Sequence, residues 1–280
     1  DEDPSGTITD YINSGSNNYG AFSNITANSA LKKGTLIFNK NDGYWYQLVQ
    51  DAWIDENTFE INGGSYLRAL DPYFRSKGVY FKGEVIIYKE SDGSQTYYEC
   101  LQDYREGNPG PKDLSWGGAN FWKELSDVPE IKLTNPIEYD DSEEKIETVV
   151  DRLEEDSKGS FVGEYDETKW NQYKVGDMVM ITYEAKFGKP YREFYMKIYD
   201  YECKPGESDN QGRLAWRLYS KVYSCKSAYA IGDVTGVLIN GKIYYRKFIE
   251  NCDKEYTAYE MYQSNESWFN GNRPLTINLE

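Results

Sequence analysis

The chain has 280 residues, with 31 basic against 47 acidic side chains and a formal charge of −16 at pH 7. That balance opposes binding to nucleic acid or anionic lipid, which recruit clustered Lys and Arg. Histidine is absent, which excludes Ser-His, Cys-His and His-metal mechanisms and leaves carboxylate, Tyr, Lys or thiol chemistry. Mean hydropathy is −0.78, and no apolar run approaches the roughly 20 residues of a membrane helix. The sequence holds 27 Tyr, 11 Phe and 7 Trp, and the tyrosines are the anomaly to be explained.

Residues 1–29 read as an N-terminal segment. The chain opens at Asp1 with no basic n-region or apolar h-region, as a processed protein or an excerpt would. Residues 30–72 form a first, weak module: Leu31-Lys32-Lys33-Gly34-Thr35-Leu36-Ile37-Phe38, a turn at Asn41-Asp42-Gly43, then Tyr44-Trp45-Tyr46-Gln47-Leu48-Val49. The Asn39–Gly43 cluster lacks the spacing of a calcium loop and reads as a hairpin turn. Module 2, 73–130, is the clearest. It runs Tyr80-Phe81-Lys82-Gly83-Glu84-Val85-Ile86-Ile87-Tyr88, turns at Ser91–Ser94 and returns through Thr96–Leu101.

A connector, 131–160, follows. Ile146, Val149, Val150 and Leu153 recur at i, i+3, i+4 and i+7, predicting an amphipathic helix over 141–157 with an acidic, solvated outer face. Asp141 and Glu144 have the spacing of a capping box, and Lys158-Gly159 would end the helix. Module 3, 161–223, repeats the hairpin as Tyr173-Lys174-Val175-Gly176-Asp177-Met178-Val179, a Gly188-Lys189-Pro190 turn and Glu193–Ile198. Module 4, 224–280, reads Tyr229-Ala230-Ile231-Gly232-Asp233-Val234, then Asn240-Gly241, the strongest short hairpin signal, then Lys242–Arg246. The repeat glycines at 34, 83, 176 and 232 lie 49, 93 and 56 residues apart, the long interval holding the connector. Units near 50 residues bury too little surface to be robust alone, so pairing or oligomerisation is expected. The fold expected is all-β: tandem small, three-stranded, hairpin-based units with one connecting amphipathic helix.

The four cysteines, Cys100, Cys203, Cys225 and Cys252, include no CxxC pair, which disfavours a zinc site. The last three leave one disulfide open as an option, while Cys100 lies in an apolar stretch as a small hydrophobe. Glu84, Asp177 and Asp233 share the position beside the repeat glycine, where a carboxylate accepts backbone N–H groups and forms a turn. Two carboxylates meeting in space could also hydrolyse glycosides, but the units are too small to enclose a polysaccharide groove.

The pattern of an aromatic residue, Gly-Asp or Gly-Glu, a strand, a turn, Tyr-Tyr and a later Trp resembles the chitin-binding modules of carbohydrate-binding families 5 and 12. The upstream piece Phe161-Val162-Gly163-Glu164-Tyr165 with Lys169-Trp170 is similar to units strung along bacteriophage fibre and virion proteins. The Pro loop Gly107–Pro111 leads to Trp116 and Phe121-Trp122; modules 3 and 4 end with Trp216 and Trp268. The resemblance implies exposed sugar-binding aromatics at Tyr104 and Trp116 in module 2 and at Tyr199 and Tyr201 in module 3. Modules 1 and 4 depart from the family at these positions. Against this stands a plainer role for the strand tyrosines: Tyr97, Tyr98, Tyr195, Tyr244 and Tyr245 fill a thin β-core. The resemblance further implies a non-enzymatic structural or adhesive virion component, a fibre, spike or decoration, located on a virion surface or extracellular. It would need no cofactor or metal, assemble with itself and with other virion or surface proteins, and contact host polysaccharide, without nucleic acid or membrane. The alternative is a secreted carbohydrate-binding region of a polysaccharide-degrading enzyme.

Overall fold

A computed structural model describes residues 18–21, 29–31, 33–40, 42–54, 67–113, 117–131, 159–188, 190–220, 223–239, 242–256, 260–261 and 276–278. These residues are mostly strands in small sheets, with almost no helix. In chain order the strands are β1 (Asn18–Ala21), β2 (Ser29–Leu31), β3 (Leu36–Asn39), β4 (Tyr44–Leu48), β5 (Ala52–Ile54), β6 (Leu67–Ala69), β7 (Val85–Lys89) and β8 (Gln95–Cys100). They continue with β9 (Trp122–Leu125), β10 (Ser160–Glu164), β11 (Asp177–Tyr183), β12 (Tyr191–Lys197), β13 (Trp216–Leu218), β14 (Val234–Ile239), β15 (Lys242–Phe248) and β16 (Thr276–Asn278). A four-residue helix, α1 (Gly118–Phe121), leads into β9.

The hairpins fall where the sequence puts them. β3-β4, β7-β8, β11-β12 and β14-β15 pair antiparallel, and each takes a further antiparallel strand, respectively β6, β9, β13 and β16. The three-stranded expectation is incomplete for two of these sheets, because β1 joins β3 and β10 joins β11 in parallel to give four strands. The first sheet therefore reaches back before residue 30. Elsewhere the parallel strand is reduced to a bridge, Tyr73 to Ile87, or to one bond from the Tyr223 N–H to the Gly236 carbonyl. β2 and β5 form a separate two-stranded sheet.

One set of bonds opens all four hairpins. Gly34, Gly83, Gly176 and Gly232 take φ of 89°, 88°, 96° and 94°, the left-handed region in which a side chain is strained. Space is not what selects glycine, since a Cβ on Gly83, Gly176 or Gly232 would meet nothing within 4 Å. Each glycine N–H donates to the last residue of the second hairpin strand: Leu48, Cys100, Lys197 and Phe248.

The core is divided and aromatic. One cluster gathers Tyr80, Ile86, Tyr98, Cys100, Tyr104 and Trp122. Another holds Val179, Tyr195, Cys203, Ala215, Trp216 and Leu218, and a third Tyr223, Tyr229, Val237, Phe248, Cys252 and Met261. A fourth crosses between sheets: Phe38, Trp45 and Leu70 pack on Tyr191, with the Phe38 and Tyr191 rings stacked at 5.1 Å. The same contact is tied at its rim by Lys40 to Glu193 at 2.7 Å and by the Lys186 N–H on the Gly43 carbonyl. The β3-β4 sheet is thus packed on the tips of β11 and β12.

The strand tyrosines divide as their alternation requires: Tyr98 and Tyr195 are buried, while Tyr97, Tyr244 and Tyr245 are half-buried. All four cysteines are free thiols, with Cys100 wholly buried. The Asn39–Gly43 segment is a hairpin turn, with Asp42 accepting the Tyr44 N–H and the Tyr46 hydroxyl. The connector helix over 141–157, the Asn240-Gly241 turn and Trp268 lie outside the described residues. The strand closing the last sheet is β16, with Thr276 opposite Phe248 where the second and third sheets place Trp122 and Trp216.

Candidate functional site

The acids beside the glycines build turns. Glu84, Asp177 and Asp233 each accept the N–H of the residue three before, Phe81, Lys174 and Ala230, at 2.9, 2.8 and 2.8 Å. A second carboxylate or amide ties the residue before the glycine: Asp51 accepts the Lys33 N–H, Asp103 the Lys82 N–H and Asn251 the Ile231 N–H. These bonds fix the direction of the chain into each hairpin and leave further acceptor sites on the carboxylates.

Three tyrosines stand three residues before the glycines, and their hydroxyls do one job. Tyr80, Tyr173 and Tyr229 accept backbone N–H groups from Arg75, Asp166 and Ser224. Each of these rings stacks on the aromatic residue just before that donor: Phe74 on Tyr80, Tyr165 on Tyr173 and Tyr223 on Tyr229. Trp122 and Trp216 close two of the stacks edge-on, and their indole N–H groups donate to the Pro109 and Cys203 carbonyls. These three tyrosines are therefore structural: a ring fills the thin core while its hydroxyl satisfies a backbone donor that a Phe would leave unpaired. Burial pushes the Tyr229 hydroxyl up to about 12 and raises Tyr80 and Tyr223 as well.

Sheets join through an arginine. Arg68, in the middle of β6, makes two bonds to Glu84 at 2.6 and 2.9 Å, with both side chains 3% exposed. Arg217, in the middle of β13, pairs with Asp233 at 2.5 Å. In both cases the arginine lies sixteen residues before the acid. Burial raises the Asp233 carboxyl, and Arg217 and the Ala230 N–H work against that rise. Neither arginine was assigned a task from sequence; the common spacing from Arg to acid was the available signal.

The predicted sugar-binding residues have different fates. Tyr104 is not an exposed platform. It is 2% exposed, enclosed by Phe74, Tyr80, Phe121 and Trp122, and its hydroxyl donates to the Ser76 carbonyl. The backbone of Tyr104 bridges to Tyr80 ahead of the Gly/Pro loop that suggested exposure. Trp116 lies outside the described residues. Tyr199 and Tyr201 come together with ring centroids 5.6 Å apart, and both are half-buried. They stand at the joint to the last sheet: the Tyr199 hydroxyl donates to the Tyr229 carbonyl and the Tyr201 hydroxyl to Asp253. The Arg213 guanidinium lies 4.1 Å over the Tyr201 ring, so one face is already used. The hydrogen bond to Asp253 raises Tyr201 first, and burial adds to it. The structure thus brings Tyr199 and Tyr201 to one place and keeps Tyr104 in another core. Tyr73, an exposed aromatic in the segment joining β6 to β7, was not singled out from sequence.

No family model, curated protein or solved structure matches this chain.

Proposed function

We propose that this chain is a non-enzymatic structural and adhesive protein of virion-surface type, made of four tandem copies of one hairpin unit. The observation that supports the reading most is the recurrence of a single bond set, glycine N–H to strand end, at all four hairpins. Units 1 and 2 form one pair and units 3 and 4 another, each joined by arginine to acid. Such a chain spends its polar groups on its own backbone and its joints, as a spacer or fibre element does. Sugar contact, through the likeness to chitin-binding units, falls to Trp116 and to the Tyr199-Tyr201 pair. One such contact is weak, and repetition along an assembly would raise it by avidity.

The test is retention on insoluble polysaccharides and a glycan array, with Trp116→Ala and Tyr201→Ala run beside the parent and reducing ends measured in the same samples. Retention lost in a variant, without release of reducing ends, is the expected result. Released reducing ends would replace the reading with a hydrolase. Absence of retention would remove the adhesive half and leave an assembly protein.

A further inference from the structure

Each internal joint uses a cation at the second residue of a closing strand and an acid beside the next glycine. The four closing strands put Arg68, Lys123, Arg217 and Ile277 at that position, opposite Gln47, Glu99, Met196 and Lys247. Arg68 and Arg217 are engaged within the chain. Ile277 carries no charge. Lys123 remains, 62% exposed and held only at 3.8 Å by Glu99.

The acceptor side shows the same arithmetic. Glu84 and Asp233 have their arginines, and unit 1 has Thr35 in place of an acid. Asp177 is the acid left over: Phe161 stands sixteen residues before it, and among the described residues its carboxylate accepts the Lys174 N–H. Among the described residues, unit 1 meets unit 3 elsewhere, at Tyr183, Ala185 and Lys186. Those residues lie at or beyond the other end of β11, with Tyr183 six residues or about 20 Å from Asp177 at some 3.3 Å per residue.

Exposed apolar side chains are found at both places, as they are at Ile231 and Ile249 of unit 4. Val128, just past β9, is 78% exposed, and Val162, on β10, is 50% exposed. Val162 lies three residues before Tyr165, as Asp71 lies three before Phe74, and in the joint between units 1 and 2 Asp71 is buried. A joint of the same kind at unit 3 would cover Val162.

We propose that the closing strand of unit 2 in one chain docks on the glycine turn of unit 3 in a second copy, Lys123 against Asp177, continuing between chains the joint each chain already makes twice. This rests on the reading above that the protein works by assembling. The contact joins two different surfaces, so each copy keeps one donor and one acceptor end and growth is head to tail. The exposed ion pair sets register and partner choice, while the valines contribute burial.

Sedimentation velocity on the whole chain, over a concentration series at low and high salt, reads this out. Wild type is expected to grow beyond the monomer and to fall back in high salt. Lys123→Glu alone and Asp177→Lys alone should each lose the assembled species. An equal mixture of the two should regain it, because each variant supplies the end the other needs. Asp177 also caps its own turn, so Asp177→Asn, which keeps the acceptor and removes the charge, serves as the gentler variant and should weaken assembly. Wild-type assembly that Lys123→Glu leaves untouched would overturn this surface while self-association stood. A wild type monomeric throughout would overturn both.

Discussion

The two joints occupy the same positions in their pairs of units and are built differently. Between units 1 and 2 the link is concentrated in Arg68 and Glu84, both buried and bonded twice. Between units 3 and 4, Arg217 and Asp233 are partly exposed, at 18% and 14%, and the link is shared. The Leu218 N–H donates to the Ser227 hydroxyl, the Ala228 N–H to the Trp216 carbonyl and the Leu214 N–H to the Asp253 carbonyl, while Arg213 and Lys254 form a β-bridge. Tyr199 and Tyr201 add their hydroxyls. The same arginine-to-acid connection is thus kept while what stabilises it changes with how much backbone the neighbouring loops bring to the joint.

The comparison breaks most visibly at the arginines. Arg68→Ala strands a buried carboxylate and should destabilise the first joint by about 3–5 kcal/mol. Arg217→Ala should cost roughly 1.5–3 kcal/mol, the range for a hydrogen bond to a charged group, because water and neighbouring donors reach Asp233. Separate thermal transitions for the two pairs would report this; equal losses would erase the distinction between the joints.

A second difference is set by pH. Burial raises Tyr229 from 10.0 to about 12 and Cys252 from 9.0 to about 12 in the fourth unit. A group whose folded pKa is raised gives stability that is whole below its unfolded value and is lost as pH climbs through the folded one. The unit should therefore weaken between pH 9 and 12. Tyr229 alone accounts for about 2–3 kcal/mol at 1.36 kcal/mol per unit. With no histidine in the chain, stability should be flat between about pH 6 and 8. Unfolding followed by tyrosinate absorbance checks both, and Tyr229→Phe should shrink the alkaline loss.

Smaller effects sharpen the repeat itself. Gly83→Ala and Gly232→Ala place a Cβ at φ of 88° and 94°, for about 1–2 kcal/mol each, with no added clash. Denaturant midpoints should shift alike for the two. The exposed pair of Lys204 and Glu167 is a control, since Lys204→Ala should leave the denaturant midpoint where it is.

Much of this was legible in the sequence. The glycines, the adjoining acids and the alternating strands announced the hairpins, because each works within a few residues. The parallel strands β1 and β10 were not legible as partners, since a parallel pair is joined by a longer connection and leaves no local hairpin signal. Tyr104 was misplaced for a related reason: the neighbouring Gly/Pro loop reads as exposed, and nothing local tells that Tyr104 bridges Tyr80. Arg68 and Arg217 could have been found from their common sixteen-residue spacing to an acid, a regularity visible only once the glycines had been aligned.

The most direct test of four copies of one unit is amide hydrogen exchange, resolved by residue, at the N–H groups of Gly34, Gly83, Gly176 and Gly232. Each is bonded across its hairpin at 2.7–2.8 Å, and the account predicts protection at all four, well above the Gly93 and Gly212 amides, whose bonds stay within their own surface turns. Exchange at the rate of an open loop at any of the four would contradict it.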